Sequence, residues 1–360
     1  MDGFNGTKFK NGRLCRMDYK SKRITVLAPV AWRTPPRAYG AWETVASNIT
    51  EGLVARGWEN VTLFATRDSI TNAELHAVID MGYEEDPNAD RKVWEILHIS
   101  EVMEHADEFD LIHNNFDFIP LSFSRLIKTP ILTTIHGFSS PSILPVYRKY
   151  KGTYFVSISD SDRDPELDYL ATVYNGIDLS NLTFRPNPGD KLVFYGRIHM
   201  DKGTHLAAEV AKATGRELII AGIIQDQEYF DNLVKPHIDG KLIKFIGPVN
   251  PEQRDALLKE ASVVLHLNTI PERFGLVMAE SMAAGVPVIA MDLGSCREVI
   301  ADGQTGYLVN NVAEAAEVLE KIDKIDRRAC LKRVEENFTI DKMVEGYEKV
   351  YEKIFEKKTC

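Results

Sequence analysis

The chain has 360 residues, 44% of them hydrophobic, with a formal net charge of −10. That length suits two domains with sizeable cores, and the acidic balance disfavours a general nucleic-acid binder. No apolar run approaches the roughly 18 residues of a membrane span. The four cysteines (Cys15, Cys296, Cys330, Cys360) lack Cys-x-x-Cys spacing, which argues against a structural zinc site or a disulfide framework.

In chain order, residues 1–22 are polar and locally basic (Lys8, Lys10, Arg13, Arg16, Lys20, Lys22) and lack the apolar centre of a signal peptide. They read as a disordered leader of a cytoplasmic protein. The competing reading is a peripheral contact with the inner face of an anionic membrane, or with a partner. Arg23 to Ala28 reads as a buried strand, and Trp42 to Arg56 as a helix stopped by Gly57. Val61–Ala65, Phe109–His113, Pro130–Thr134 and Tyr154–Ile158 continue the strands, with a helix predicted over Arg91–His105. The pattern breaks at Phe184-Arg-Pro-Asn-Pro-Gly-Asp190, a linker by its prolines and glycine. It restarts with strands at Lys191–Tyr195, Glu217–Ala221, Ile243–Ile246, Val263–Leu267 and Val286–Ala290. Helices are predicted at Gly203–Thr214, Glu252–Glu260 and Leu276–Ala284, and Val312 to Phe355 is almost wholly helical.

Such alternation means parallel β-α-β units, and hence two doubly wound Rossmann-like domains, at 23–185 and 186–338, followed by a last segment, 339–360. Ligands of such sheets bind beyond the carboxyl ends of the strands. Five segments at such ends hold candidate chemistry. Gly196-Arg197…Lys202-Gly203 offers a forked cation and a point charge for phosphate, against the bland reading of a solvated loop. Glu272…Glu280 flanks a helix expected to start near Gly275, whose N-terminus suits a diphosphate. Its carboxylates stand too far apart for one substrate atom and suit two parts of an extended ligand, sugar and ribose; the bland reading is a cap and a solvent-facing side chain. Tyr39-Gly40-Ala41-Trp42-Glu43 sits between the first strand and helix, where a loop closes on a ligand or merely connects. His136 follows a strand and is either a ligand for a sugar hydroxyl or a structural histidine. Asp160-x-Asp162 has metal-pair spacing and reads more simply as an acidic surface turn.

Together these segments resemble family 4 of the retaining glycosyltransferases, with the two-domain GT-B fold. The resemblance runs from about Arg23 to Phe355. It rests on Tyr39–Glu43, on the Asn175-Gly176-Ile177-Asp178 turn, on Gly196-Arg197…Lys202-Gly203, and on the E-x7-E motif of Glu272 and Glu280 with its inner Phe-Gly-Leu. It implies that Arg197, Lys202 and Gly196 bind the donor diphosphate. Glu272 and His136 would lie by the transferred sugar, and Glu280 on the ribose. Gly40 and Ala41 would face the donor, Phe274, Gly275 and Leu276 would contact phosphate or sugar, and Gly247 and Val249 would lie near the base. The final helix, around Tyr347–Phe355, would cross back to the first domain. Ala41 replaces the second glycine of the family's loop, Leu267-Asn268 replaces Pro-Ser, and the first domain is short.

The implied activity is transfer of a hexosyl unit from a UDP- or GDP-sugar to a hydroxyl of a sugar, oligosaccharide, sugar-phosphate or lipid-linked acceptor, by front-face displacement, without metal or cofactor. The alternatives are another sugar-nucleotide enzyme on this fold, an epimerase or hydrolase, and a non-catalytic nucleotide-sugar binding protein. Arg33, Arg37, Arg148, Lys149 and Lys151 are either marks of an anionic acceptor or ordinary surface charges. Donor base, acceptor and oligomeric state are not fixed by the sequence.

Overall fold

The computed structural model describes residues 8–10, 13–15, 19–137 and 141–359, so the predicted leader falls mostly outside the described residues. Lys8–Lys10 (β1) and Arg13–Cys15 (β2) form a small antiparallel pair.

The first large sheet holds β3 Arg23–Leu27, β4 Asn60–Phe64, β5 Glu74–His76, β6 Leu111–Asn114, β7 Ile131–Ile135, β8 Tyr154–Ser157 and β9 Tyr169–Thr172. Its strands are all parallel, in the order β5-β4-β3-β6-β7-β8-β9. The second holds β10 Lys191–Tyr195, β11 Leu218–Ala221, β12 Ile243–Phe245, β13 Ala261–His266, β14 Val288–Met291 and β15 Gly306–Val309, in the order β12-β11-β10-β13-β14-β15. It too is parallel throughout. Central strands such as β6, β7 and β13 are buried at every position, the polar His113, Asn114, Thr133 and Thr134 included, as expected of a parallel sheet covered on both faces.

In each sheet the chain winds outward to one side and then returns to the other, between β3 and β6 and between β10 and β13. A crevice opens beyond the carboxyl ends of the strands at such a switch point. The fold therefore selects the segments after β3, β6, β7, β10 and β13 as walls of a cleft.

The helices are α1 Ala41–Ala55, α2 Arg91–Glu104, α3 Leu144–Lys149, α4 Thr204–Thr214, α5 Gln227–Tyr229, α6 Pro251–Glu260, α7 Leu276–Ala283, α8 Cys296–Val299, α9 Val312–Val318, α10 Arg327–Asn337 and α11 Ile340–Thr359. The last of these packs on the first domain. Met343, Val344, Tyr347 and Tyr351 join a buried cluster with Ile24, Val26, Val45 and Ile49. Polar ties fix its rotation: the hydroxyls of Tyr347 and Tyr351 lie 2.9 and 2.7 Å from Thr134 Oγ1 and His113 Nδ1, and Glu348 accepts from Arg56 and Trp58.

Besides β1 and β2, which fall in the segment read as a disordered leader, three strands of the two large sheets have no counterpart in the sequence-based expectation: β5, β9 and β15. All three lie at sheet edges. An edge strand pairs on one side only and needs no apolar run, so a search for buried strands passes over it.

Candidate active site

A cavity of about 690 Å³ lies between the two domains, lined from both. Its second-domain wall begins where β10 ends. Gly196 and Arg197 turn away from the sheet, and Arg197 Nη1 donates to Gln225 Oε1. A short turn, Met200–Lys202, then leads to Gly203, which takes φ 62°. A Cβ there would stand 1.9 Å from the Leu267 carbonyl oxygen. Only glycine lets this turn close on the end of β13, and that closure delivers Lys202 to Glu272.

Glu272 is 7% exposed. Its backbone bridges to Gly294, and its carbonyl accepts from the Ser295 N–H at 3.0 Å, which fixes the loop before α7. One carboxylate oxygen, Oε2, accepts from Lys202 Nζ at 2.6 Å and Asn268 Nδ2 at 2.6 Å, with His266 Nε2 at 2.8 Å. The other accepts from the Arg273 N–H at 3.0 Å. Burial by itself favours the neutral acid. The Lys202 ammonium and the His266 hydrogen bond overcome it and hold the carboxyl well below its ordinary range. Gly275 then takes φ 79° as the residue before α7, where a Cβ would meet Met278 Cε at 2.4 Å. The first N–H groups of a helix lack intrahelical acceptors, so this end offers an anion site beside two cations.

The first-domain wall comes from the loop before α1 and the end of β7. Tyr39, Ala41, Trp42, His136 and Gly137 line it. His136 stacks on Trp42 at 5.7 Å, and its Nε2 pairs with Asn115 Oδ1 at 3.0 Å. Burial lowers its pKa to about 3, so the ring is neutral at pH 7 and suits hydrogen bonding to a hydroxyl rather than charge stabilisation.

The structure thus brings Ala41, His136, Gly196, Arg197, Lys202, Glu272, Phe274, Gly275 and Leu276 to one cavity. Gly40, Gly247, Val249 and Glu280 are not among its lining residues. Gly40 is buried against Pro36 and Glu43 just before α1. Gly247 accepts from the Gly222 N–H at 2.8 Å at the ends of β11 and β12. Glu280 lies within α7 and accepts from Arg254 at 2.7 Å and from the Tyr195 hydroxyl at 3.3 Å. Burial pushes its carboxyl up against the pull of the Arg254 guanidinium.

Sequence reasoning missed His266, Arg254, Gln225 and Arg273. His266 is the one polar residue of the predicted strand Val263–Leu267, which is a usable signal, and Arg273 stands inside the Glu272–Glu280 motif; Arg254 and Gln225 lie where no motif marks them. Asp162 also differs from its reading as a surface turn. It is buried and accepts from Arg273 Nη1 at 2.6 Å across the cleft. Beside it, Glu298 accepts from the backbone N–H groups of Asp160 and Ser161 at 2.7 and 2.8 Å. Of the basic acceptor candidates, Arg37 is paired with Asp68 and Glu85, and Arg148 with Glu166.

Two parallel-sheet domains facing across such a cleft define the GT-B architecture. The fold is shared with the Anabaena protein HepE, solved in complex with UDP and glucose (TM-score 0.72, 18% identity, covering 92% of this chain and 99% of that one). Residues 182–333 match the family of glycosyl transferases group 1. An uncharacterised glycosyltransferase of Methanocaldococcus jannaschii is 26% identical over 332 residues, 79% of this chain and 84% of the relative. A phosphatidyl-myo-inositol mannosyltransferase of Mycobacterium leprae is 26% identical over 230 residues, 56% of this chain; the match spans 60% of that relative. No helix among the described residues is long and apolar enough to cross a membrane.

Proposed function

We propose that the protein transfers a hexosyl unit from a nucleoside-diphosphate sugar to an acceptor hydroxyl, with retention at the anomeric carbon. The observation that carries this reading is the convergence of Arg197, Lys202, the α7 N-terminus and Glu272 on one interdomain cavity. The two cations and the helix end suit a departing diphosphate. In the reaction the anomeric C–O bond breaks with its electron pair on the diphosphate oxygen. The acceptor oxygen bonds the same face of the sugar, and its proton passes to the leaving oxygen. Glu272 serves as an anchor for the sugar rather than as a nucleophile, because its Oε2 is already engaged by three side chains. Asn268, also in the lining, keeps an Oδ1 without a protein partner, an acceptor for a sugar hydroxyl.

The related fold of a protein solved with UDP favours a uridine donor as the first to test, with guanosine second. The acceptor is a hydroxylated sugar, oligosaccharide, sugar-phosphate or lipid-linked sugar entering from the first domain. The cationic groups do the charge work of a metal, so transfer is expected to proceed undiminished in excess EDTA. The test is a panel of UDP- and GDP-linked glucose, galactose, N-acetylglucosamine and mannose, scored by thermal shift and then by NMR of the transferred anomer. Inversion, a trapped glycosyl-Glu272 adduct, or release of free sugar alone would each overturn the mechanism.

A further inference from the structure

Away from the cleft, β5 and α2 bring three potential metal ligands together. His76 is the last residue of β5, at the sheet edge, and Glu101 and His105 stand one helical turn apart at the end of α2. Glu101 Oε1 lies 2.8 Å from His76 Nε2 and 3.3 Å from His105 Nε2. One ligand atom from each residue falls within 4.8 Å of the other two. Ligand atoms around a tetrahedral zinc ion, bonded at about 2.0–2.1 Å, sit about 3.3 Å apart, so Glu101 already stands at that spacing from His105 and needs to part from His76 by about half an ångström.

The second shell is also in place. His105 Nδ1 donates to Glu108 Oε1 at 2.7 Å, which holds the ring with Nε2 facing Glu101. A carboxylate behind the far nitrogen is the usual support of a metal-bound histidine. The His76 ring is held flat against Phe64 at 4.5 Å, so this ligand is oriented before any ion arrives. The side chains are 35, 28 and 37% exposed for His76, Glu101 and His105, open enough for an ion to enter and for water to complete its shell.

We propose that His76, Glu101 and His105 form a structural site for a divalent cation of the zinc class, which clamps the edge strand β5 to α2. None of the three lines the interdomain cavity, and the ion takes no part in transfer.

The test is calorimetric titration of the EDTA-stripped full chain with Zn2+, with thermal unfolding followed in parallel and Mg2+ as control. One equivalent of Zn2+ is expected to bind and raise the unfolding temperature, and Mg2+ to do neither. His76→Gln and His105→Gln should each weaken Zn2+ binding by at least tenfold, and Glu108→Gln by about tenfold while keeping the stoichiometry. All three positions are solvent-accessible, and circular dichroism checks that each variant is folded. Co2+ substitution of the unaltered chain gives a second reading, through the visible bands of a nitrogen- and oxygen-ligated site. No saturable Zn2+ binding, or binding unchanged in both histidine variants, overturns the proposal.

Discussion

At Glu272, itself only 7% exposed, a single carboxylate oxygen gathers Lys202, His266 and Asn268. Removing one partner of such a buried pair leaves the other charge uncompensated. Lys202→Met is therefore expected to lower kcat by about 10²–10³-fold, the usual loss for one stabiliser of developing negative charge. It should also cost about 1–3 kcal/mol of stability, measured by urea unfolding. The double variant with Glu272→Gln should recover most of that stability and none of the activity. A fully additive cycle would show the two side chains to be uncoupled. Glu43 makes a different electrostatic statement. It is 3% exposed with its Oε1 accepting from the Trp32 N–H at 3.3 Å, and burial raises its pKa from 4.5 to about 7. Because the folded value lies above the unfolded one, the stabilising contribution is complete below pH 4.5 and is lost as pH rises through 7. Glu43→Gln should match the parent at pH 4.5 and exceed it by about 3 kcal/mol at pH 9. Equal unfolding midpoints at both pH values would refute this assignment.

Among the elements, α7 joins the site to the core, since its first residues Leu276 and Val277 line the cavity and its buried residues Met278, Ala279 and Met282 fill the second core. Its entry depends on Gly275. Gly275→Ala must place a methyl group on a φ of 79° and against Met278, so it should destabilise by more than about 1 kcal/mol and weaken nucleoside-diphosphate binding at least as strongly as it lowers the unfolding temperature. A variant that loses stability but binds UDP or GDP normally would remove the helix end from the donor site. The longer helices and the inner strands were legible from periodicity alone, because α1, α2, α4, α6 and α7 each bury one face and the inner strands are rich in apolar residues. The three missed edge strands lack that signal, as β9 shows with four half-buried positions in Tyr169–Thr172.

For the whole molecule, the described domains are tied across the cleft by Arg273–Asp162 and by Glu298 under the Asp160–Ser161 backbone. Glycosyl transfer needs a cleft that closes to exclude water and opens to release product. Arg273→Met is expected to enlarge the radius of gyration of the free protein in solution scattering and to raise the donor KM more than it lowers kcat. An unchanged radius would mean that Glu298 and α11 suffice to hold the closed arrangement. Burial raises the Asp162 carboxyl to about 6 even against Arg273; the Asp162 end of this tie is out of water, while the Arg273 side chain stays 37% exposed.

The sequence by itself determined the class of fold and the strand ends after which Arg197, Lys202, Glu272 and His136 stand. These follow from local order: apolar periodicity, a glycine after a strand, two acids at a fixed spacing. Only the tertiary structure decided which groups meet. Lys202 reaches Glu272 across 70 residues of chain, Arg273 reaches Asp162 across 111, and Glu280 is claimed by Arg254 rather than set in the cavity wall. His76 met Glu101 in the same way, through strand pairing at a sheet edge that no periodicity announces. Local pattern fixes the backbone's choice of helix or strand. The charge state and partner of a side chain depend on burial and on atoms brought from elsewhere in the chain, and these exist only once the sheets have formed and the two domains face each other.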